Sequence, residues 1–185
     1  MTNATRLPAV VQIPTIDVSK LSNFEWRNAY EKVSAARLAR SAALAINAPI
    51  LPPVRASHYI LEGAITDELI GQLPTTLVER ECPVVIYTVF EADAPSQLII
   101  HKDWGRLSVI NAYETAGKDV TTFYSHDKEL NTVSPLESFC AAAGEVWAMN
   151  SKMYHGVVFE QPVKRSMVNF AFRRVSLSGI TESFS

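Results

Sequence analysis

Apolar residues follow two different rhythms along this chain. Between Asn23 and Ile46, Trp26, Tyr30, Val33 and Ala36 recur at helical spacing, with Arg27, Glu31, Lys32 and Arg40 around them. Ser22 and Glu25 form an S-x-x-E capping box at the start, and Pro49, Pro52 and Pro53 lie beyond the end. This pattern predicts one long helix. A short strand over Ala9–Ile13 precedes it. A short helix over Asp67–Leu73, capped by Thr66 and ended by Pro74, follows it. From Val84 the rhythm changes to short β-branched and aromatic runs separated by turn residues. Strands are predicted over Val84–Phe90, Leu98–His101, Leu107–Tyr113, Val120–Tyr124, Val146–Asn150, Gly156–Phe159 and Ser166–Phe172. Glu114–Lys118 reads as a hairpin turn. Ser134–Glu137 reads equally as a helix start with Pro135 at the first helical position or as the lead into a strand. The expectation is a mainly β chain, a sandwich or barrel with helices in its N-terminal part. It forms a single domain over 1–185, with a helical lead-in at 1–80 and the β core at 81–176.

Composition narrows the class. Of 185 residues 48% are apolar and 19% charged, so the chain can bury a core and is not of the disordered type. A net charge of −2 offers no general attraction to phosphate backbones, so long nucleic acid is an unexpected partner. The first residues, with two prolines and one arginine, do not resemble a secretory leader. No stretch of about 18 apolar residues is present for a membrane span, and the default location is the cytoplasm. Cys82 and Cys140 lack the neighbours of a zinc motif and are expected as reduced thiols, at least one of them packed inside.

Candidate chemistry lies in the strand-rich part. His101 and Asp103 are two residues apart after the apolar Leu98-Ile99-Ile100, so an extended backbone presents both on one face. His155 follows the strand Val146–Asn150, and Arg165 heads the last apolar run. Two imidazoles and one carboxylate on one face of an iron(II) ion leave three positions open. A buried arginine nearby pairs with a carboxylate through parallel hydrogen bonds. Arg106, three residues after Asp103, is a candidate to orient that carboxylate or to bind substrate, and Trp104 is a candidate pocket residue. His126 and Asp127, in a polar loop, His58, and the exposed Arg173 are set aside.

The ordered set His101-x-Asp103…His155…Arg165, with its flanks HKDWGRLSVINAY and GEVWAMNSKMYHGV, resembles the signature of the iron(II)/2-oxoglutarate-dependent oxygenases. The flanks are similar to those of small bacterial and phage-type members related to prolyl and aspartyl hydroxylases. The resemblance spans Val84–Phe172. It implies a double-stranded β-helix, or jelly roll. It also implies iron(II), 2-oxoglutarate and O2 as cofactor and co-substrates, and hydroxylation of a C–H bond with release of succinate and CO2. The substrate would be a small molecule, an amino acid or a peptide. His101, Asp103 and His155 would hold the metal, and Arg165 the distal carboxylate of 2-oxoglutarate. Many members carry R-x-S, whereas Arg165 is followed by Ser166 and Met167. A second donor to that carboxylate must come from elsewhere, with Tyr87, Asn111 and Tyr124 as candidates. A carboxylate at Asp103, where related halogenases carry a small residue, points to hydroxylation or desaturation. A cupin-type metalloenzyme without 2-oxoglutarate and a non-catalytic β-sandwich are the competing readings.

Overall fold

The computed structural model describes residues 8–19, 21, 30–31, 51–115 and 117–185. Eleven strands and three helices are described. The strands are β1 (Val10–Ile13), β2 (Tyr30–Glu31), β3 (Arg55–Ile60), β4 (Val84–Ala92), β5 (Ser96–His101), β6 (Ser108–Thr115), β7 (Val120–Asp127), β8 (Thr132–Phe139), β9 (Val146–Asn150), β10 (Tyr154–Phe159) and β11 (Val163–Phe172). The helices are α1 (Ala64–Ile70), α2 (Thr75–Arg80) and α3 (Leu177–Ser183).

The strands form two antiparallel sheets. One has the order β1-β9-β6-β11-β4-β3-β2 and the other β5-β10-β7-β8. From β4 onward the chain passes back and forth between them. β4, β6, β9 and β11 lie in the larger sheet, and β5, β7, β8 and β10 in the smaller. This winding is the jelly roll expected from the sequence.

Side-chain alternation divides the interior into two layers. Val85, Tyr87, Ile110, Ala112, Val146, Ala148, Val168, Phe170 and Phe172 pack with Leu69, Leu77, Leu177 and Ile180 of the helices. The opposite residues, including Phe90, Tyr113 and Met167, pack with Val157 and Phe159 of the smaller sheet. The larger sheet is thus covered on both faces, and β6 and β11 are buried almost throughout. Such strands read as continuous apolar runs rather than alternating ones.

Several local expectations need correction. Apart from Tyr30 and Glu31, the predicted helix over Asn23–Ile46, with Ser22, Glu25 and Trp26, lies outside the described residues. Those two form β2, paired with Ile60 and Tyr59. The short helix begins at Ala64, not after Thr66. Gly63, at φ +72°, makes the entry turn that an L side chain resists, and Thr66 N–H already donates to Gly63. Pro74 then leads directly into α2, which the prediction lacked. Ser134–Glu137 belongs to β8, an edge strand that tolerates Pro135 because no neighbour needs its missing N–H. Glu114–Lys118 is not a hairpin turn, since β6 and β7 belong to different sheets and the segment crosses between them. Cys82 and Cys140 are both free and exposed, so neither thiol is packed inside. Among the described residues, no helix is long and apolar enough to cross a membrane.

Candidate metal centre

The end of β5 and the start of β10 lie side by side, with His101 opposite His155. The chain turns after His101 and carries Asp103 inward, where its backbone N–H donates to Ser151 O at 3.1 Å. One ligand atom from each of His101, Asp103 and His155 lies within 4.8 Å of the others. His155 and Asp103 are buried, while His101 is partly open.

Each imidazole is oriented by the backbone. His101 Nδ1 contacts Ile99 O at 2.7 Å, and His155 Nδ1 contacts Met153 O at 3.0 Å. A carbonyl only accepts, so each Nδ1 carries the proton and each Nε2 turns its lone pair to the common space. The Nε2 atoms lie 3.5 Å (His101) and 3.8 Å (His155) from Asp103 oxygens, too far for strong hydrogen bonds. Arg106 donates Nε and a terminal nitrogen to Asp103 Oδ2 at 2.8 and 2.7 Å. Both contacts fall on Oδ2, which leaves Oδ1 available as a ligand atom.

Burial opposes ionisation of Asp103, but its neighbours, the His101 imidazole and the Arg106 guanidinium, hold the carboxyl well below the usual carboxylate range. Burial, with help from the His101 imidazole, pushes His155 down to about 4. Asp103 and His155 are therefore deprotonated near neutral pH, and a metal needs to displace no proton from either. The unfolded chain binds His155's proton below its ordinary 6.5, while the folded chain takes it only near about 4. The metal-free fold thus holds this contribution in full above pH 6.5 and loses it as pH falls. Urea denaturation of metal-free protein is expected to show a loss of about 2 kcal/mol between pH 7 and pH 5. Asp103, depressed from 3.8, adds a further loss in the same direction at lower pH.

Gly156 makes the register of the two histidine strands possible. The β10–β5 pairing shifts between His155 and Val157, and a Cβ on Gly156 meets Leu98 O at 3.0 Å and Ile100 Cγ1 at 3.1 Å. Gly156→Ala is expected to push β5 away, separating His101 from His155. Calorimetric titration with manganese(II) is expected to show weaker binding. Thermal melting is expected to show a cost of about 2 kcal/mol.

Arg165 is buried in the layer between the sheets and is far from bare. One terminal nitrogen (NH1) pairs with the buried Asp119 carboxylate. The other (NH2) points at Met167 sulfur at 4.0 Å, and Nε has no partner among the described residues. The guanidinium carbon lies 4.6 Å from the Tyr113 ring centre and 5.9 Å from that of Phe90. The Tyr113 hydroxyl is likewise buried without a partner.

The remaining candidates are scattered. Asn111 faces the layer between the sheets, accepting from Asn169 at 2.7 Å and donating to Met149 sulfur at 3.4 Å. Thr88 donates to Asn169 and contacts His58 Nδ1 at 3.0 Å, so a polar track crosses the larger sheet. Tyr87 lies on the other face, among the helix-packing residues. Its hydroxyl donates to Glu114 at 2.5 Å, and burial pushes its pKa up to about 12. The structure does not bring Tyr87 to Arg165. Tyr124 alternates with the buried Phe123 and shares its side of β7 with Thr122, on the outer face of the smaller sheet. Trp104 is 73% exposed. His126 and Asp127 close β7 rather than sitting in a loop, and the His126 ring meets Tyr154 at 5.0 Å. Arg173 is exposed, as expected.

Sequence reading passed over Asp119 and Tyr113. Asp119 had a signal: it is a lone acid heading the run Val120–Phe123, in phase with the inward Thr121 and Phe123.

No family model and no curated protein matches this chain. Solved structures with a similar course of strands include a prolyl-4-hydroxylase of Pseudomonas putida, at 13% identity and TM-score 0.48, covering 90% of this chain and 93% of that one. A 2OG-Fe(II) oxygenase family oxidoreductase of Burkholderia pseudomallei matches at 16% identity and TM-score 0.48, covering 90% and 85%. A 7S globulin of Momordica charantia matches at 13% identity and TM-score 0.44, and this chain spans 33% of that protein's chain. Likeness at this level follows the strands alone, so the chemistry has to come from this chain's own side chains.

Proposed function

We propose that this protein is a non-haem iron(II) oxygenase that uses 2-oxoglutarate to hydroxylate a C–H bond of a small molecule or an amino-acid side chain. The observation that carries this reading is the convergence of His101, Asp103 and His155. Two imidazole nitrogens and one carboxylate oxygen suit iron(II), and the backbone carbonyls and Arg106 orient all three groups before a metal arrives. His101, Asp103 and His155 would hold the ion. Bound there, it supplies the oxidising chemistry, with 2-oxoglutarate and O2 consumed and succinate and CO2 released.

The chain's own residues provide orientation. Arg106 fixes the Asp103 carboxylate, and the carbonyls of Ile99 and Met153 fix the two rings. The 2-oxoglutarate part rests on orphaned donors. Arg165 Nε and the Tyr113 hydroxyl are buried without acceptors among the described residues, an arrangement that costs free energy unless a ligand supplies them. A distal carboxylate received on the Nε edge of Arg165, with Tyr113 beside it, satisfies both. Tyr113 thereby takes the role first sought at Tyr87. Asn111 lies on the same inner face and is available to line the space, and Arg106 and Trp104, next to Asp103 in the chain, are the candidates for contact with substrate. Two exposed free thiols are in keeping with a reducing, cytoplasmic setting.

The test is succinate formation from 2-oxoglutarate, followed by NMR, with iron(II) and O2 each present or omitted. Turnover that requires both supports the reading. Iron-loaded protein that neither binds 2-oxoglutarate nor converts it contradicts it. One observation favours a second reading, a cupin-type metalloenzyme that does not use 2-oxoglutarate: Arg165 already has a carboxylate partner in Asp119. That reading predicts that Arg165→Ala, if it folds, keeps its metal and its activity.

A further inference from the structure

The guanidinium proposed to receive the co-substrate is already half occupied, and the occupant is fixed. Asp119 Oδ2 pairs with Arg165, while its Oδ1 accepts the Gly117 backbone N–H at 3.1 Å. Both residues are buried, Arg165 at 2% and Asp119 at 3% relative exposure. Asp119 cannot swing aside without abandoning two partners in a place where water reaches poorly. Asp119 also lines a small cleft with Gly117, Lys118, Phe159 and Pro162, and Phe159 ends β10, the strand whose start carries His155.

We propose that Asp119 is a specificity-determining residue that sets which distal group a 2-oxo acid can present to Arg165. This rests on the reading of Arg165 as the co-substrate's anchor. The Arg165–Asp119 pair is formally neutral. A second carboxylate entering at the Nε edge gains charge-assisted hydrogen bonds but faces a like charge across the same guanidinium. The wild-type subsite therefore binds the distal carboxylate of 2-oxoglutarate with little preference over a neutral carboxamide of the same shape. Removing the Asp119 charge while keeping its acceptor oxygen turns the subsite into a net cation that favours the carboxylate.

The experiment is anaerobic calorimetric titration of manganese-loaded protein with 2-oxoglutarate and with its distal monoamide. It compares wild type with Asp119→Asn, which removes the charge and keeps one acceptor oxygen for Arg165, its amide nitrogen taking the place of the oxygen that accepts from Gly117. Asp119→Asn is expected to bind 2-oxoglutarate about tenfold more tightly and to leave monoamide affinity within about twofold. Equal or weaker binding of 2-oxoglutarate overturns the proposal, as does an equal gain for the monoamide, which reports a change of shape rather than charge. Should the variant fail to fold, the wild-type ratio decides. A preference for 2-oxoglutarate over the monoamide below about tenfold supports the role, and a larger one overturns it. Wild-type protein that binds manganese but neither 2-oxo acid removes the co-substrate reading and this inference with it. Binding that Asp119→Asn leaves unimproved removes the role of Asp119 alone.

Discussion

His155→Ala protein is expected to bind manganese(II) or iron(II) at least about 100-fold more weakly than wild type, with succinate formation lost in step. His155 has the most complete set of constraints at the site. It is buried, its ring centre is 4.5 Å from that of His101 and 5.6 Å from that of Phe123, and Nδ1 is committed to Met153 O. The alanine variant leaves two donors from one short stretch of chain, which cannot surround a cation from two sides. It also removes a group that resists protonation, so its metal-free stability should vary less between pH 7 and pH 5 than that of wild type. That second readout separates a lost ligand from a general loss of structure. Retained stoichiometric metal in His155→Ala places the ion elsewhere.

The second large effect is at Arg165. Arg165→Met is expected to lower stability by about 3–5 kcal/mol, because it leaves the Asp119 carboxylate buried without its cation. Urea denaturation measures this directly. Adding Asp119→Asn to Arg165→Met restores most of the loss, since no charge is then left unpaired. The double variant should still bind manganese at His101, Asp103 and His155 but should not bind 2-oxoglutarate. Recovered stability without recovered co-substrate binding separates the two duties of Arg165, one in the fold and one in the site. If the double variant binds 2-oxoglutarate as wild type does, Arg165 is a structural residue only.

The sequence showed the metal cluster more clearly than its surroundings. His101 and Asp103 have one residue between them, so their convergence needs only local geometry, although the strand ends at His101 and a turn, not an extended backbone, carries Asp103 inward. His155 required a fold in which β10 lies against β5; the succession of short apolar runs predicted a sandwich or barrel but not that pairing. The surroundings depend on facts that no local pattern carries. Tyr87 looked well placed because its strand precedes the iron motif, yet the larger sheet is apolar on both faces. Nothing in Val84–Phe90 says which parity looks inward, and Tyr87 turned out to face the helices. The strand Arg55–Ile60 was missed because all of its residues but the first are half buried, which erases the alternation that marks a strand. α2 and α3, of 6 and 7 residues, are too short to show a helical stripe. The Asp119–Arg165 pair joins residues 46 positions apart, one just before β7 of the smaller sheet and one in β11 of the larger, and only the crossing of the chain between sheets brings them together.

A crystal structure of the protein grown without oxygen, with manganese(II) and 2-oxoglutarate, tests the central claim most directly. The predicted result is one metal ion bound by Nε2 of His101, Nε2 of His155 and the Asp103 carboxylate, with the 2-oxo acid reaching from it to the Nε edge of Arg165. A metal bound away from these three side chains, or a 2-oxo acid with no contact to Arg165, contradicts it.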